Sequence, residues 1–381
     1  MKGLITFTTG LVKATACIAA AILTLSTAAA ASTSHGFRVA GTQILGPDGR
    51  PFIIRGVNVP GLNSPFPYKT IGHTHLIADV WKFNTVRVNC NLIAPSGAYH
   101  YSDDVDAIIR AFTQRRSNKV VVIVESHDLT GDFYGPGSSH NRPTLTDLAA
   151  WYKKLAAKYK NDPYVWFNVT NEPGPLLGNE AKWFNEHEAV IRAIRSTGNT
   201  SPIVCDAAYW GQDINNDHFD RSDSAILTLG PRLLAQPAPY SKNIVFSIHL
   251  YTEWTRPKNI QPVMEQWFAQ ARKEKLAVIV GEWAWGSWDP KGIIDVSRAP
   301  KAFFAFGPKQ GIGRIYWSWF GSDNPLCRHK MDPKNPGHVA HDPFIQNWDD
   351  AGGGWEIDRT DGRRPTNLSP AGMVAWSDTH Q

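Results

Sequence analysis

The chain has 381 residues, 11% of them aromatic, with 15 tryptophans and a formal net charge of +5. That length accommodates one large α/β domain or two smaller ones. The cations are scattered, with no denser block than Arg115-Arg116 and Arg363-Arg364, which argues against a nucleic-acid or membrane-surface binder.

Residues 1–31 read as an export signal: Lys2 and Lys13 supply charge, residues 14–25 are apolar and Ala-rich, and Ala28 to Ala31 offers small residues for cleavage. An uncleaved anchor is the alternative, although the apolar run is short for a membrane span. The expected organisation is a secretory signal peptide at 1–31 and one folded domain at 32–381. Cys17 leaves with the signal, so Cys90, Cys205 and Cys327 remain, an odd number that permits at most one internal disulfide. Cys205 lies in an apparent strand and reads as a small buried hydrophobe.

Residues 37–54 alternate around the turn signal Pro47-Asp48-Gly49, predicting a β-hairpin. Strands are then expected at 53–59, 85–89, 119–127, 166–170, 202–207, 243–251, 276–282 and 313–319. Helical patterns fall at 77–83, 101–116, 145–159, 179–196, 222–234 and 261–275, and in part of 293–310. One strand every ~30 to 45 residues, mostly with a helix between, is the spacing of βα units. No Gly-rich phosphate turn follows the first strand, so the expected fold class is α/β, a closed (β/α)8 TIM barrel with an N-terminal β-hairpin, rather than a doubly wound sheet. A long loop rich in Gly, Pro, Asp and Asn follows the eighth strand at 321–355.

Two strands end on a glutamate. The bulky run from Trp166 stops at Asn171-Glu172, where Pro173-Gly174 ends the pairing, and the aliphatic run from Leu276 stops at Glu282. A carboxylate at the mouth of a buried strand is costly without a partner or a task, and two of them suggest paired acid/base and nucleophile chemistry. The other strand ends carry Arg87 and Asn89, His127 and Asp128, Asp206, His249, Tyr251 and Trp317. In a barrel of this kind, polar residues at the C-terminal ends of strands are the first candidates for catalysis.

Arg87 in Thr-Val-Arg-Val-Asn, His127 in Glu-Ser-His-Asp, Asn171-Glu172-Pro173, His249 and Tyr251 in Ser-Ile-His-Leu-Tyr, Glu282 in Val-Gly-Glu-Trp and Trp317 in Tyr-Trp-Ser-Trp together resemble glycoside hydrolase family 5. The resemblance spans roughly residues 36–378. The segments 127–131, 206–213 and 246–251 further resemble its bacterial endo-β-1,4-mannanase-like branch, which commonly has Phe-Gly after the nucleophile where this chain has Trp283-Ala-Trp-Gly. The family resemblance implies Glu282 as nucleophile, assisted by Tyr251 and Arg87, and Glu172 as acid/base. It further implies Asn171 on the sugar's 2-hydroxyl, His127 and His249 as positioning groups, and Trp317 as the floor of the central subsite.

Trp210 and Trp283, with Trp254, Trp285 and Trp319, are candidate sugar platforms, whereas Trp166 reads as core. Arg87 as a structural ion-pair partner, the two histidines as core residues and Trp317 as barrel packing are the competing readings. The expected activity is secreted, retaining endo-hydrolysis of β-1,4-mannan or glucomannan. The alternatives are an endoglucanase or mixed-glucan hydrolase, and a non-catalytic glycan-binding barrel. The expected partner is polysaccharide, with no nucleic acid, no stable membrane insertion after signal cleavage, and a monomeric state. No cofactor or metal is expected: the segment His338-Val-Ala-His341-Asp342 has helical ligand spacing but no third ligand is evident, and Asp349-Asp350 is an equally thin calcium signal.

Overall fold

The computed structural model describes residues 1, 36–60, 70–92, 103–135, 143–286, 295–319, 361–366, 368 and 370–381. The signal peptide, the 321–355 loop, Cys327 and the His338, His341, Asp342 and Asp349-Asp350 groups lie outside them. The chain divides into Met1–Ser34 and His35–Gln381, and the barrel belongs to the second unit.

Eight apolar runs form parallel strands: β3 (Arg55–Pro60), β4 (Thr85–Cys90), β5 (Val121–Ser126), β6 (Val165–Asn168), β7 (Ile203–Asp206), β8 (Ile244–Leu250), β9 (Val278–Trp283) and β10 (Gly313–Tyr316). They close into a barrel in the order β10-β3-β4-β5-β6-β7-β8-β9. Both strand faces are covered, which is why these runs read as almost continuously apolar. The intervening helices are α1 (Asp103–Thr113), α2 (Leu145–Lys158), α3 (Glu180–Arg195), α4 (Ala225–Leu234), α5 (Ile260–Lys273) and α6 (Arg298–Phe304), with α7 (Pro370–Thr379) at the C-terminus. Local chemistry sets their starts. Thr144 and Asp147 exchange hydrogen bonds in a capping box before α2, and the Ser224 hydroxyl accepts from Leu227 N at the start of α4.

The expected helix at 77–83 starts earlier, with α-helical residues at 70–72 and 74–75 running into a π-type turn at Leu76–Val80, and the described part of 293–310 holds α6 and a 3-10 turn at Pro308–Gln310. The hairpin is also built differently from the expectation. β1 (Arg38–Ala40) and β2 (Gln43–Leu45) pair antiparallel across Gly41-Thr42. Pro47-Asp48-Gly49 makes the next reversal, which returns Pro51 to bridge Leu45.

Alternation then sorts the barrel side chains. Outward positions such as Val57, Val86, Val122, Phe167, Cys205, Phe246 and Val280 join the large core cluster with the helices. The inward positions near the strand starts (Ile54, Val121, Ile123, Trp166, Val204, Val245, Ile279 and Ile315) form a second cluster with Phe37 and Ile44 of the hairpin segment. Phe37 meets the Trp166 ring edge-on at 5.1 Å, so the hairpin plugs the lower end of the barrel. One or two steps further along the same inward rows stand Asn58, Arg87, Glu125, Asn168, Asp206, Ser247 and His249, all buried.

β9 breaks its own alternation. Ile248 pairs with Val280 but His249 with Glu282, and a matching shift occurs against β10, so Gly281 is the extra residue of a β-bulge. A one-residue slip exchanges the faces of everything after it. Glu282 therefore turns into the barrel and Trp283 turns out. A Cβ at Gly281 would lie 3.0 Å from His249 Nε2, so glycine is what lets strand and imidazole approach.

Candidate active site

Arg87 is the hub of the upper barrel, and all of its polar capacity is used. Nε donates to Asn168 Oδ1 at 2.8 Å, and Nη1 donates to Asn58 Oδ1 at 3.0 Å and to Glu282 Oε1 at 2.7 Å. Nη2 donates to Asn171 Oδ1 at 2.8 Å and to Asp206 Oδ2 at 3.0 Å, and Glu125 stands 3.6 Å from Nη1. Burial works against the charge of Arg87, but Glu125, Asp206 and Glu282 outweigh it and raise the pKa further. The ion-pair reading of Arg87 and the functional one are thus the same arrangement: the guanidinium holds Asn171, Glu282 and Asp206 in fixed relation.

Glu172 follows β6 in a left-handed conformation, φ 46°, a strained state for a non-glycine residue that costs about 1–3 kcal/mol. Its surroundings hold it there. Glu172 N donates to Asp206 Oδ2 at 3.3 Å, its carbonyl accepts from Gly131 N at 2.7 Å, and Asn171 N donates to Ser126 O at 2.8 Å. Glu172 Oε1 lies 2.8 Å from His249 Nδ1. On the far side, Tyr251 donates its hydroxyl proton to Glu282 Oε2 at 2.6 Å. One oxygen of each glutamate and a ring nitrogen of His249 lie within 4.8 Å of one another. Those three could in principle ligate a metal ion, but Arg87 and Tyr251 already engage both oxygens of Glu282 and His249 engages Glu172.

The charges are tuned by neighbours as much as by burial. Burial raises the Glu282 pKa, His249 and Arg87 pull it back, Glu172 pushes it up, and the net is above the ordinary carboxylate value. Burial also opposes charge on His249, yet Glu282 and Asp206 win and raise it to about 10. Asp206 is the reverse case: burial would raise it, and Arg87 and His249 hold it well below the usual range. Across the barrel, Glu125 Oε1 accepts from Asn89 Nδ2 at 2.5 Å and faces His127 Nδ1 at 2.8 Å. Burial disfavours the His127 cation, but Glu125 outweighs it and raises the pKa.

Trp317 is partly exposed and stacks parallel to His127, ring centres 5.6 Å apart. Trp210 is the one large aromatic left open among the described residues, 45% exposed, with its backbone N–H donated to Pro173 O beside the Glu172 turn. Trp285 is half-buried with Lys301 over its ring at 5.1 Å. Trp283 corrects the expectation of a sugar platform. It is buried, edge-on to Tyr316 at 4.8 Å and to Phe304 at 4.9 Å, because the bulge turns it outward into the helix layer. Trp254 and Trp319 are likewise fully buried, packed edge-on against Trp267 and Trp81. Asp128 accepts from Leu92 N and Ser126 Oγ, so it braces the loop rather than facing the cleft. Cys90 and Cys205 are buried free thiols.

The sequence reading passed over Asn58, Glu125 and Asn168 and gave Asp206 no role. Their signal was a polar residue interrupting an apolar strand on the inward parity, two steps from a core residue.

The family profile described as cellulase (glycosyl hydrolase family 5) matches residues 45–323. A mannan endo-1,4-beta-mannosidase of Cellvibrio japonicus is 28% identical over 303 residues, an alignment covering 78% of this chain and 62% of that protein. A cellulase of a Thermoanaerobacterium species is 25% identical, covering 75% of this chain and 71% of its own. The solved beta-mannanase of Thermomonospora fusca superposes with a TM-score of 0.58 at 25% identity, over 75% of this chain and 85% of that one. With the profile match running through all eight strands and both strand-end glutamates, the chain belongs to glycosyl hydrolase family 5.

Proposed function

We propose that this protein is a secreted, retaining endo-β-1,4-glycan hydrolase acting on mannan or glucomannan, released by removal of residues 1–31 and active as a single domain. The observation that carries the reading is the pair Glu172 and Glu282, with oxygens within 4.8 Å of each other across the mouth of the barrel. Retaining enzymes hold their carboxyl groups ~5–5.5 Å apart and inverting ones ~6.5–9.5 Å, so this spacing supports direct attack without an intervening water.

In this mechanism Glu282, aligned by Arg87 and Tyr251, attacks the anomeric carbon. Glu172 gives its proton to the departing oxygen and afterwards takes one from the attacking water. Asn171, fixed by Arg87 and by its own donation to Thr130 Oγ1 at 2.8 Å, faces the 2-hydroxyl of the sugar. Trp317 and His127 form one wall of the central subsite, and Trp210 extends it on the acid/base side.

Mannan is favoured over cellulose-type glucan by the mannanase relative, and the cellulase relative keeps the second reading in play. Purified enzyme on glucomannan decides between them: mannose at the new reducing ends and faster attack on mannan than on carboxymethyl cellulose are expected. Reducing ends released from the cellulose derivative alone would overturn the mannan assignment.

A further inference from the structure

Asp206 has no part in the mechanism above, yet it is fully buried and contacts four groups of the site. Oδ2 accepts from Arg87 Nη2 at 3.0 Å and from the backbone N–H of Glu172 at 3.3 Å, and stands 3.4 Å from His249 Nε2. Oδ1 accepts from Asn168 Nδ2 at 3.1 Å. His249 in turn presents Nδ1 to Glu172 Oε1 at 2.8 Å. Asp206 thus reaches Glu172 twice, directly at its backbone and through the imidazole at its carboxyl group. The loop that completes the cage presses from the other side: a Cβ at Gly211, φ +74°, would lie 2.7 Å from His249 Cγ.

We propose that Asp206 is a positioning residue that keeps His249 doubly protonated, so that the acid proton of Glu172 is confined to Oε2. The proposal rests on Glu172 being the acid/base. An imidazolium can only donate. With Asp206 as counter-ion at Nε2, Nδ1–H donates to Oε1, and Oε1 must remain the acceptor in both ionisation states of Glu172. The proton therefore sits on Oε2, passes from there to the departing oxygen, and leaves a carboxylate still held through Oε1. Without the Asp206 charge the cation keeps Glu282 as its other chief counter-charge, 3.6 Å from Nδ1, but loses the one at Nε2, and the neutral imidazole so favoured keeps its proton on Nε2. Nδ1 then accepts, and the Glu172 proton settles on Oε1, trapped between the two residues. The raised pKa of His249 accords with this state. The charged groups facing the Asp206–His249 pair are Arg87 from β4, Glu172 after β6 and Glu282 from β9, and His187 of α3 lies behind Asp206.

The test uses the full chain labelled with 15N, with His249→Gln to assign the ring signals. Wild-type His249 should show two protonated ring nitrogens at pH 8, and Asp206→Asn should convert it to the neutral form at the same pH. On 4-methoxyphenyl β-mannobioside, which needs a proton at its leaving group, Asp206→Asn should lose on the order of 10²-fold in kcat/KM. On the 2,4-dinitrophenyl analogue, which needs none, the loss should be under about 3-fold, because general-acid help is absent there. A neutral imidazole in the wild type at pH 8 overturns the proposal, whether or not the variant folds. So does an equal loss on both glycosides. A Glu172→Ala variant with undiminished turnover of 4-methoxyphenyl β-mannobioside would remove the underlying acid/base reading, a result obtained without touching Asp206.

Discussion

The two halves of the barrel interior are filled by the same strands and the same inward rows, and they could hardly differ more. The lower half is Val121, Ile123, Trp166, Val204, Val245, Ile279 and Ile315, a dry layer sealed by Phe37 and Ile44. Two residues higher on the same strands stand the buried Glu125, Asn168, Asp206 and Ser247, the first three of them meeting Arg87. Burying apolar surface contributes about 25 cal/mol per Å2 with no demand for a particular partner. Buried charge has no such tolerance: removing one partner from an ion pair costs about 3–5 kcal/mol, whereas an apolar replacement of the whole pair is often neutral or stabilising. The upper half is therefore hard to explain as a stability device. The lower half holds the barrel closed, and the upper half spends part of that stability on keeping two glutamates aligned.

The sharpest way to break that comparison is to delete the carboxylates themselves. Glu282→Gly should lose activity by on the order of 10⁴-fold or more, as when a nucleophile is removed elsewhere. Azide entering the vacated face should then return a product of inverted configuration from an activated β-glycoside. Glu172→Ala should still form the glycosyl-enzyme from an activated aryl glycoside, stall, and resume with azide to give a β-glycosyl azide. Proton NMR of the azide products reads the anomers, and swapped configurations would exchange the two roles.

The lower half should respond in the opposite manner. Trp166→Ala removes the largest side chain of the plug and should destabilise by about 3–5 kcal/mol. Among molecules that stay folded at low temperature, kcat/KM should change less than about 3-fold, because surface lost below does not touch groups above. Urea titration paired with initial rates checks both. An activity loss as large as that of a site variant would mean that the two halves are not separable.

How far this division could be read in advance depended on where the information lay along the chain. The eight strands were legible because each is a local apolar run, and Glu172 and Glu282 because each ends such a run. Asn58, Glu125 and Asn168 were not, since a polar residue inside a strand acquires meaning only from Arg87, which meets all three from positions 29 to 81 residues away. Trp283 was misread for a related reason. Its outward direction follows from the Gly281 bulge, and a bulge is a property of strand pairing with β8 and β10, not of the segment itself. The hairpin shows the same limit, with pairing across Gly41-Thr42 rather than across the stronger turn signal at Pro47-Asp48-Gly49.

Titration offers a smaller and more graded test of the upper half. His249 has a folded pKa of about 10 against an unfolded value near 6.5, so its proton is bound more tightly in the native state. Its stabilising contribution is complete below pH ~6.5 and is lost as pH rises toward the folded value. Stability should therefore decline between these values by at most about 5 kcal/mol, since about 1.4 kcal/mol accompanies each unit. His249→Gln should flatten that slope, whereas no change is expected from Trp166→Ala. Asp206 contributes with the opposite sign: its lowered pKa adds stability above the ordinary carboxylate range and loses it in acid. Denaturant unfolding at stepped pH measures both limbs, and a wild-type curve flat across the alkaline window would contradict the His249 assignment.

The smallest expected effect separates two tryptophans that look alike in the sequence. Trp210 is exposed beside the Glu172 turn, and Trp283 is sealed between Tyr316 and Phe304. A stacking aromatic contributes about 0.5–1.5 kcal/mol, so Trp210→Ala should raise KM by roughly 2- to 12-fold with kcat and the unfolding midpoint nearly unchanged. Trp283→Phe keeps an aromatic ring but loses volume, and it should lower the midpoint while leaving KM where it was, because no part of Trp283 reaches the cleft. The two variants thus move different observables. Steady-state rates on a soluble glucomannan, set beside thermal unfolding of the same preparations, read both at once. Should Trp283→Phe instead raise KM at an unchanged midpoint, the outward turn imposed by the bulge would be wrong, and with it the geometry that aims Glu282 into the barrel.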